Sequence, residues 1–226
     1  KNILIACYKN DDWIGTADDE YKGVEGKLSP IAARNSDVTV ALFGDARSSL
    51  SSGLKESIRD RVGMGKHSLH ITDTHRETVD LASMVFSENG VHFLNNASTR
   101  YARDFVDKLN LLSEELNANY ISADHVLVDS SMAMEAYGLR KARDIDLLVD
   151  GVNFRSELDF KNESITLHDD QLRHHGVSKH ELLYNPKYWF TYDGFKILSV
   201  RHLAKFKSAR GEQKDLTDLK IISKLL

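Results

Sequence analysis

One segment, VLVDSSMAMEAYGLRKARDIDLLVDG (residues 126–151), most limits what this chain can fold into. Its first apolar run stops at a serine pair, a short amphipathic stretch follows, and a second strand-like run, DIDLLV, ends it. Short apolar runs separated by turn residues and a helix-like stretch predict a strand, a turn, a short helix and a further strand. The segment therefore favours the α/β class.

The second of these predicted strands carries Asp144 and Asp146. Successive side chains of a strand alternate between faces, so both carboxylates project to the same side, about 7 Å apart. They repel each other unless a positive charge lies between them. Mg²⁺, which takes carboxylate and phosphate oxygens, meets that need. The alternative is a pair of solvated aspartates on an exposed edge strand.

Two further features lie beside this carboxylate pair. Ser130 and Ser131 occupy the predicted strand-to-helix turn, where backbone N–H groups can receive an anion. A basic cluster, Arg140, Lys141 and Arg143, directly precedes the aspartates. An anion-binding turn, basic residues and metal-binding carboxylates together are what phosphoryl or nucleotidyl transfer requires, since positioning and charge neutralisation dominate that reaction.

The segment resembles the nucleotidyltransferase superfamily, which includes DNA polymerase beta, the antibiotic nucleotidyltransferases and the minimal nucleotidyltransferases. The family signature is a strand, Gly-Gly or Gly-Ser, a short helix, and Asp-x-Asp or Asp-x-Glu on the next strand. Here Asp129-Ser130 stands at the glycine pair, and DID follows. The tail GFKILSVRHLAKFKSARGEQKDLTDLKII is similar to the K..A.R...KD..D segment of several such families. The residues that match it are Lys205 or Lys207, Arg210, Lys214, Asp215 and Asp218.

This resemblance covers about residues 98–226 and implies a role for each matching residue. Asp144 and Asp146 would bind Mg²⁺, and Ser130 with the backbone N–H groups around Ser131 would hold the phosphates of a nucleotide donor. Phosphate charge would be neutralised by Arg140 or Arg143. The cleft would be lined from the C-terminal helices by Lys207, Arg210 and Lys214. The resemblance also implies a third carboxylate, for which Asp169 or Asp170 is favoured and Asp159 is a further candidate.

Asp129 departs from the family pattern, because a carboxylate replaces the first glycine. A carboxylate facing the donor would crowd and repel a triphosphate. Three readings follow. Asp129 points away from the site, the donor differs from an ordinary nucleoside triphosphate, or the site is inactive.

The rest of the chain also alternates between strand-like and helix-like runs. Strands are predicted at 2–8, 37–44, 67–72, 91–97 and 162–167, and a hairpin is predicted to turn at Asp193-Gly194. Helices are predicted at 48–65, 72–90, 98–120 and 201–226, the last with a break near Gly211. The order predicts a mixed sheet. We expect a smaller α/β domain of unknown function at 1–97 and a nucleotidyltransferase-like domain at 98–226.

Composition limits the partners and the compartment. The net charge is -4, so no overall basic field favours nucleic acid. One cysteine, Cys7, excludes an internal disulfide framework, fits a reducing cytoplasm and is interpreted as a buried structural thiol. No apolar run reaches the roughly 20 residues of a membrane helix. The chain begins without Met in a strand-like run, so we expect it to be part of a longer polypeptide.

Other clusters point less clearly to chemistry. His67 and His70 would face opposite sides of a strand, which makes a metal site with Asp73 and His75 a poor prediction. The same reasoning applies to the histidines of HDDQLRHHG (residues 168–176), and the serines at 48–52 could bind an anion but lack a P-loop lysine.

The expected function is Mg²⁺-dependent transfer of a nucleotidyl or phosphate-linked group from a nucleotide donor to a small acceptor, such as a sugar in surface-glycan synthesis. A catalytically silent nucleotidyltransferase-like binding module of a larger enzyme is the first alternative. A glycosyltransferase that uses Asp144 and Asp146 as its metal motif is the second.

Overall fold

A computed structural model describes residues 1–30, 38–44, 50–151, 158 and 160–226. It contains one five-stranded mixed sheet with strand order β3-β2-β1-β5-β4. The strands are β1 Val126–Asp129, β2 Ile145–Val149, β3 Ile165–Leu167, β4 Trp189–Tyr192 and β5 Phe195–Leu198. The predicted α/β class with a mixed sheet is confirmed, as is the hairpin that turns at Asp193-Gly194.

Strand pairing brings several polar residues of the motif to one end of the sheet. β1 runs antiparallel to β2, so that Asp129 pairs with Asp146. β2 runs parallel to β3, which sets Thr166 beside Asp146. On its other side β1 is parallel to β5, and β4 is antiparallel to β5. The carboxyl end of β1 and the amino ends of β2 and β3 therefore lie together.

Ten α-helices lie within the described residues. They are α1 Asn2–Tyr8, α2 Val24–Leu28, α3 Leu50–Val62, α4 His75–Val85, α5 Glu88–Asn96, α6 Ala102–Ala118, α7 Ser131–Ala136, α8 Lys179–Tyr184, α9 Val200–Arg210 and α10 Gln213–Ile222. The predicted break near Gly211 is confirmed, because Gly211 ends α9 with φ 70°.

The main core lies between the sheet and its helices. α6 contributes the apolar stripe expected from its 3.6-residue period, Phe105, Leu109, Leu112 and Leu116, each at most 3% exposed. These side chains join the apolar residues of β1, β2 and β5 in one cluster. The sheet that carries the motif thus packs against α6.

Several predicted strands of the N-terminal half are wrong. Residues 2–8 form α1, because Ile5 and Tyr8 share one helix face and pack in a small cluster with Ile14, Tyr21 and Val24. His67 ends a single helical turn, Gly65–His67, residues 68–72 are irregular, and residues 38–44 are irregular and exposed. Short apolar runs do not distinguish strand from helix by period alone. Within the described part of 1–97 there are helices and no strand.

The strand predicted at 91–97 is wrong for a traceable reason. Asn89-Gly90 was expected to end the preceding helix, but Ser87 caps a new helix by accepting a hydrogen bond from the N–H of Gly90. A Cβ at Gly90 would lie 2.0 Å from the carbonyl oxygen of Met84, so glycine permits the close approach of the two helices. α5 then contributes Phe93 to the main core. The domain boundary near Ala97 stays a prediction.

Candidate active site

The turn between β1 and α7 has an unusual backbone. Ser130 has φ 57° and ψ −128°, a region in which glycine is the favoured residue. Asp129 supports the turn, because its Oδ1 accepts a hydrogen bond of 2.6 Å from the N–H of Ser130. That N–H is thus engaged by the protein, in contrast to the predicted phosphate cradle. The Ser130 and Ser131 side chains line a cavity of about 360 Å³.

Asp129 points away from this cavity, which is the first of the three readings of the motif departure. It is fully buried, and its Oδ2 accepts hydrogen bonds from His168 Nδ1 at 2.8 Å and His175 Nε2 at 3.2 Å. Burial alone would raise the pKa of Asp129, but the two histidines outweigh burial and hold it well below its ordinary value. The carboxylate therefore stays charged behind the cavity wall.

A buried histidine pair extends this contact. His175 Nδ1 lies 3.3 Å from His202 Nε2, and the rings are stacked. Burial, and then the neighbouring His175, lower the pKa of His202 to about 4, so His202 is neutral at pH 7. Burial also lowers the pKa of His168. The hydrogen bond and negative charge of Asp129, with the charges of Asp146 and Asp170, outweigh burial, so the pKa of His168 lies above its ordinary value.

Asp144 and Asp146 both line the cavity, as their shared strand face predicts. Asp146 lies on β2, Asp144 directly precedes it, and Asp146 Oδ1 accepts a hydrogen bond of 2.8 Å from Thr166 Oγ1. Burial raises the pKa of Asp146, and the negative charges of Asp144 and Asp129 add to the effect. A carboxylate whose charge is disfavoured by its surroundings is ready to gain from a bound cation.

A network of ion pairs forms the opposite wall. Arg140 binds Asp218 through two hydrogen bonds of 2.7 Å. Lys207 Nζ lies 3.1 Å from Asp215 Oδ1 and 2.8 Å from Asp218 Oδ2. Arg210 makes two further bonds to Asp215, at 2.8 and 2.7 Å. Glu212 Oε1 also lies 3.5 Å from Arg210 Nε, so three carboxylates balance these three cations.

Ten of the eleven predicted site residues line the same cavity. They are Ser130, Ser131, Arg140, Arg143, Asp144, Asp146, Asp170, Lys207, Arg210 and Lys214. Arg143 and Lys214 are exposed, and Lys214 Nζ lies 3.0 Å from Glu212 Oε2. Asp169 is outside the lining and pairs with Lys179 at 2.7 Å. Asp159 lies outside the described residues.

Sequence reasoning missed the role of β3. Thr166, His168, Gln171 and Glu212 also line the cavity. Thr166 and His168 are two residues apart at the end of a strand, so alternation places both toward the Asp146 face. The signal was present in SITLHDD, but His168 was considered only as a metal ligand.

Asp146 on β2 and Asp144 directly before it are the carboxylates that this part of the cavity offers to a metal. Across the described residues no group of three or more His, Cys, Asp or Glu side chains is arranged to hold a metal ion. Mg²⁺ commonly uses one or two carboxylates and completes its coordination with water and substrate phosphates. Asp144 and Asp146 therefore fit a Mg²⁺ that binds together with a phosphate-bearing substrate.

The other polar clusters have structural partners. His70 Nε2 lies 2.8 Å from Glu77 Oε1, and Asp73 pairs with Lys55. Burial, followed by the charge of Glu77, raises the pKa of Cys7 to about 12, which leaves the thiol protonated and unreactive. Of the serines at 48–52, Ser48 and Ser49 lie outside the described residues, and Ser51 and Ser52 belong to α3.

Comparison with family models, curated proteins and solved structures gives no match. Among the described residues, no helix is both long and apolar enough to cross a membrane.

The raised pKa of Asp146 predicts an effect on stability. A carboxyl whose pKa is higher folded than unfolded costs stability when ionised, and the cost disappears below its unfolded pKa. We expect Asp146→Asn, without metal at pH 7, to melt at a higher temperature than the wild-type protein. Calorimetric melting from pH 7 to pH 3 checks this, and the difference should close toward pH 3. A lower melting temperature at pH 7 would contradict the electrostatic account.

Proposed function

We propose that this chain transfers a nucleotidyl group, or a phosphate-linked substituent, from a nucleotide donor to a hydroxyl of a small acceptor, with Mg²⁺ as cofactor. The observation that supports it is the single cavity that gathers two same-face carboxylates, a serine turn and five Lys or Arg side chains. Those residues come from separate elements, so their convergence is a property of the fold. Fixed charge around phosphates is the principal need of this reaction.

The charges of the lining favour a metal-dependent donor site. Asp144 and Asp146 would repel the phosphates of a donor unless a cation lay between them. Mg²⁺ held by these two carboxylates would supply that charge and activate the phosphoryl group. Arg143 and Lys214, at the exposed part of the lining, are placed to contact outer phosphate oxygens. Arg140, Lys207 and Arg210 are fixed cations of the wall, each held by a neighbouring carboxylate.

His168 supplies the proton acceptor in this proposal. The family pattern would place a third carboxylate on a later strand; here Thr166 of β3 pairs with Asp146, and His168 follows directly after β3. His168 Nδ1 is held by Asp129, which leaves Nε2 as the nitrogen available to the cavity. A histidine oriented by a buried carboxylate is a common general base. Asp129, the residue that departs from the motif, thus becomes a positioning residue.

Every bond and proton of the transfer has a donor and an acceptor among these groups. The oxygen of the acceptor hydroxyl forms a new bond to a donor phosphorus, and its proton passes to Nε2 of His168. The bond from that phosphorus to the leaving group breaks, and the leaving group departs with the electron pair. With a nucleoside triphosphate the leaving group is pyrophosphate. With a nucleotide-linked donor it is a nucleoside monophosphate.

A release assay tests the proposal. Pyrophosphate and nucleoside monophosphate are measured with a panel of nucleoside triphosphates and CDP- or UDP-linked donors, with sugar acceptors, with and without Mg²⁺. We expect Mg²⁺-dependent release by the wild-type protein and at least a 10³-fold loss in Asp144→Asn/Asp146→Asn, a magnitude typical of lost electrostatic stabilisation. Lys205→Gln, a change on an exposed part of α9, serves as the control and should retain full activity.

A catalytically silent binding module is the second candidate. The observation that favours it is the engagement of Arg140, Lys207 and Arg210 by Asp215 and Asp218, which makes part of the basic wall structural. Mg²⁺-dependent nucleotide binding without release of either product would support this alternative.

A further inference from the structure

A second, larger cavity of about 1300 Å³ lies away from the candidate active site. Its lining includes Asp124, which precedes β1, and residues 191–194 of the β4–β5 hairpin. β5 runs parallel to β1, so this hairpin turn lies at the amino end of β1. The candidate active site lies at the carboxyl end of the same strand. α1, α2, α3 and α4 contribute most of the other lining residues.

Unsatisfied polar atoms concentrate in the residues that line this cavity. Among the described residues other than Asp169, five buried side-chain nitrogen or oxygen atoms have no hydrogen-bond partner. Four of them belong to residues that line it, namely Tyr8 Oη, Arg59 Nε, His67 Nδ1 and Thr191 Oγ1. Tyr8 is 9% exposed, so burying its hydroxyl without a hydrogen bond costs free energy of folding. Buried polar groups in folded proteins are nearly always paired, which points to a missing partner.

The missing partner is an acceptor. Arg59 Nε can only donate a hydrogen bond, and the hydroxyls of Tyr8 and Thr191 can donate as well. Arg59 already donates from its other two nitrogens, to Glu56 at 2.9 Å and to the carbonyl oxygen of Leu69 at 3.3 Å. Arg59 Nε has almost no solvent-accessible surface in the ligand-free protein, so a ligand oxygen would satisfy this donor once the neighbouring side chains move aside.

Positive charge concentrates at the same end of the cavity. Lys27 Nζ lies 4.1 Å from the centre of the Tyr8 ring and donates a hydrogen bond to the carbonyl oxygen of Lys66. Burial, and then the cations Arg59 and Lys55, lower the pKa of Lys27. An anion bound among these side chains would relieve both the desolvation and the repulsion.

The lining as a whole holds seven Asp or Glu and six Lys or Arg side chains. Most of these acids are already paired within the lining. The pairs are Lys9 with Asp193, Lys55 with Asp73, Arg59 with Glu56, Arg76 with Asp80 and His70 with Glu77. Asp11 accepts a hydrogen bond from Trp13 Nε1, and Asp124 lies near the hairpin. The same pairs occupy the cations Lys9, Lys55, Arg59 and Arg76, whereas Lys27 Nζ donates to a backbone carbonyl oxygen. The end of the cavity at Lys27 is thus the place for an anionic group.

We propose that this cavity binds a small organic oxyanion, a hydroxyl-bearing molecule with a phosphate or carboxylate group. The oxyanion lies among Lys27, Arg59 and Tyr8, and the body of the ligand packs along Trp13 toward Thr191. Aromatic faces beside polar groups suit a sugar-like body. The site is independent of the proposed transfer reaction, because the two cavities share no lining residue.

Calorimetric titration of the full chain tests the site with inorganic phosphate, a hexose phosphate, a hexuronate and the neutral hexose. We expect the anionic ligands to bind and the neutral hexose to bind at least tenfold more weakly. Lys27→Gln should weaken binding of the anions about tenfold, the usual effect of losing one charge-assisted contact. Arg143→Gln/Lys214→Gln removes two cations of the candidate active site and should leave these affinities unchanged.

Tyr8→Phe gives a readout that needs no ligand. Removing a buried hydroxyl without a partner should raise the melting temperature of the ligand-free protein by about 2 °C. The same change should weaken binding of the hexose phosphate about fivefold, because one contact is lost. Tyr120→Phe is the matched control, since Tyr120 is 96% exposed and outside the cavity.

Three results would overturn the proposal. The first is no binding of phosphate, hexose phosphate or hexuronate. The second is anion binding that survives Lys27→Gln and is lost in Arg143→Gln/Lys214→Gln, which would place the ligand in the candidate active site. The third is a Tyr8→Phe protein that melts no higher than Tyr120→Phe.

Discussion

Replacement of His168 by Asn is expected to lower kcat for the transfer about 10³-fold, the usual range for loss of a general base. The Asn amide can keep the hydrogen bond to Asp129 that His168 Nδ1 now makes, while the nitrogen that would accept the proton is removed. The dissociation constant for binding of the Mg²⁺–nucleotide complex to the protein should not change, because His168 acts on the acceptor hydroxyl. Turnover and binding are measured separately with a donor from the release assay.

The pH dependence separates a chemical role from a structural one. His168 must be neutral to accept a proton, so kcat should rise as pH passes upward through its pKa. Asp129 raises that pKa, so Asp129→Asn should move the rising limb to lower pH. A melting curve establishes that the Asp129→Asn protein is folded.

His174→Gln is the control for both experiments, since His174 is near His168 in sequence but outside the cavity lining. It should retain the wild-type kcat and pH profile. If His168→Asn turned over as fast as wild type, or if both histidine variants lost activity equally, the general-base role would be wrong.

Replacement of Lys207 by Met is expected to destabilise the protein by about 3 kcal/mol, because two buried carboxylates each lose one of their two partner cations and keep only Arg210 or Arg140. Lys207 is 1% exposed and binds both Asp215 and Asp218. For a chain of this size the loss corresponds to a melting temperature lower by about 9 °C. Lys205→Met, an exposed change on the same helix, should stay within about 0.5 kcal/mol of wild type.

The effect should also depend on pH in a defined direction. Burial alone would raise the pKa of Asp215, but Arg210 and Lys207 outweigh it and lower the pKa to about 2. A depressed pKa gives stability that is present above the unfolded pKa and is lost as pH falls toward the folded value. The difference in the free energy of unfolding between wild type and Lys207→Met should therefore narrow from pH 5 to pH 2. If this difference were absent at pH 7, or if it grew as the pH fell, the stabilising role of the ion-pair network would be wrong.

The sequence was most informative where periodicity and turn chemistry agree. The stripe from Phe105 to Leu116, the Asp193-Gly194 hairpin and the break at Gly211 were predictable because each depends on local geometry. The convergence of Ser130, Asp146 and the C-terminal basic residues was predictable only through the family resemblance, since nothing local brings residues so distant in sequence together.

The wrong predictions concern features that depend on packing and on contacts between residues distant in sequence. The apolar runs at 2–8 and 91–97 are too short for their period to separate helix from strand, and packing against neighbouring helices decided for helix. Asp129 seemed an obstacle because sequence shows which residue is present and not where its side chain points. Its partners, His168 and His175, lie 39 and 46 residues away, so their hydrogen bonds could not be read locally.

The central claim is that Asp144 and Asp146 form a metal-dependent nucleotide site with the serine turn and the basic wall. Its most direct test is calorimetric titration of nucleoside triphosphates and CDP- or UDP-linked donors, with and without Mg²⁺, on wild type and on Asp144→Asn/Asp146→Asn. Binding that requires Mg²⁺ and disappears in the double variant is the predicted result. Absence of binding by every donor, or binding that is indifferent to both the metal and the substitutions, would contradict the claim.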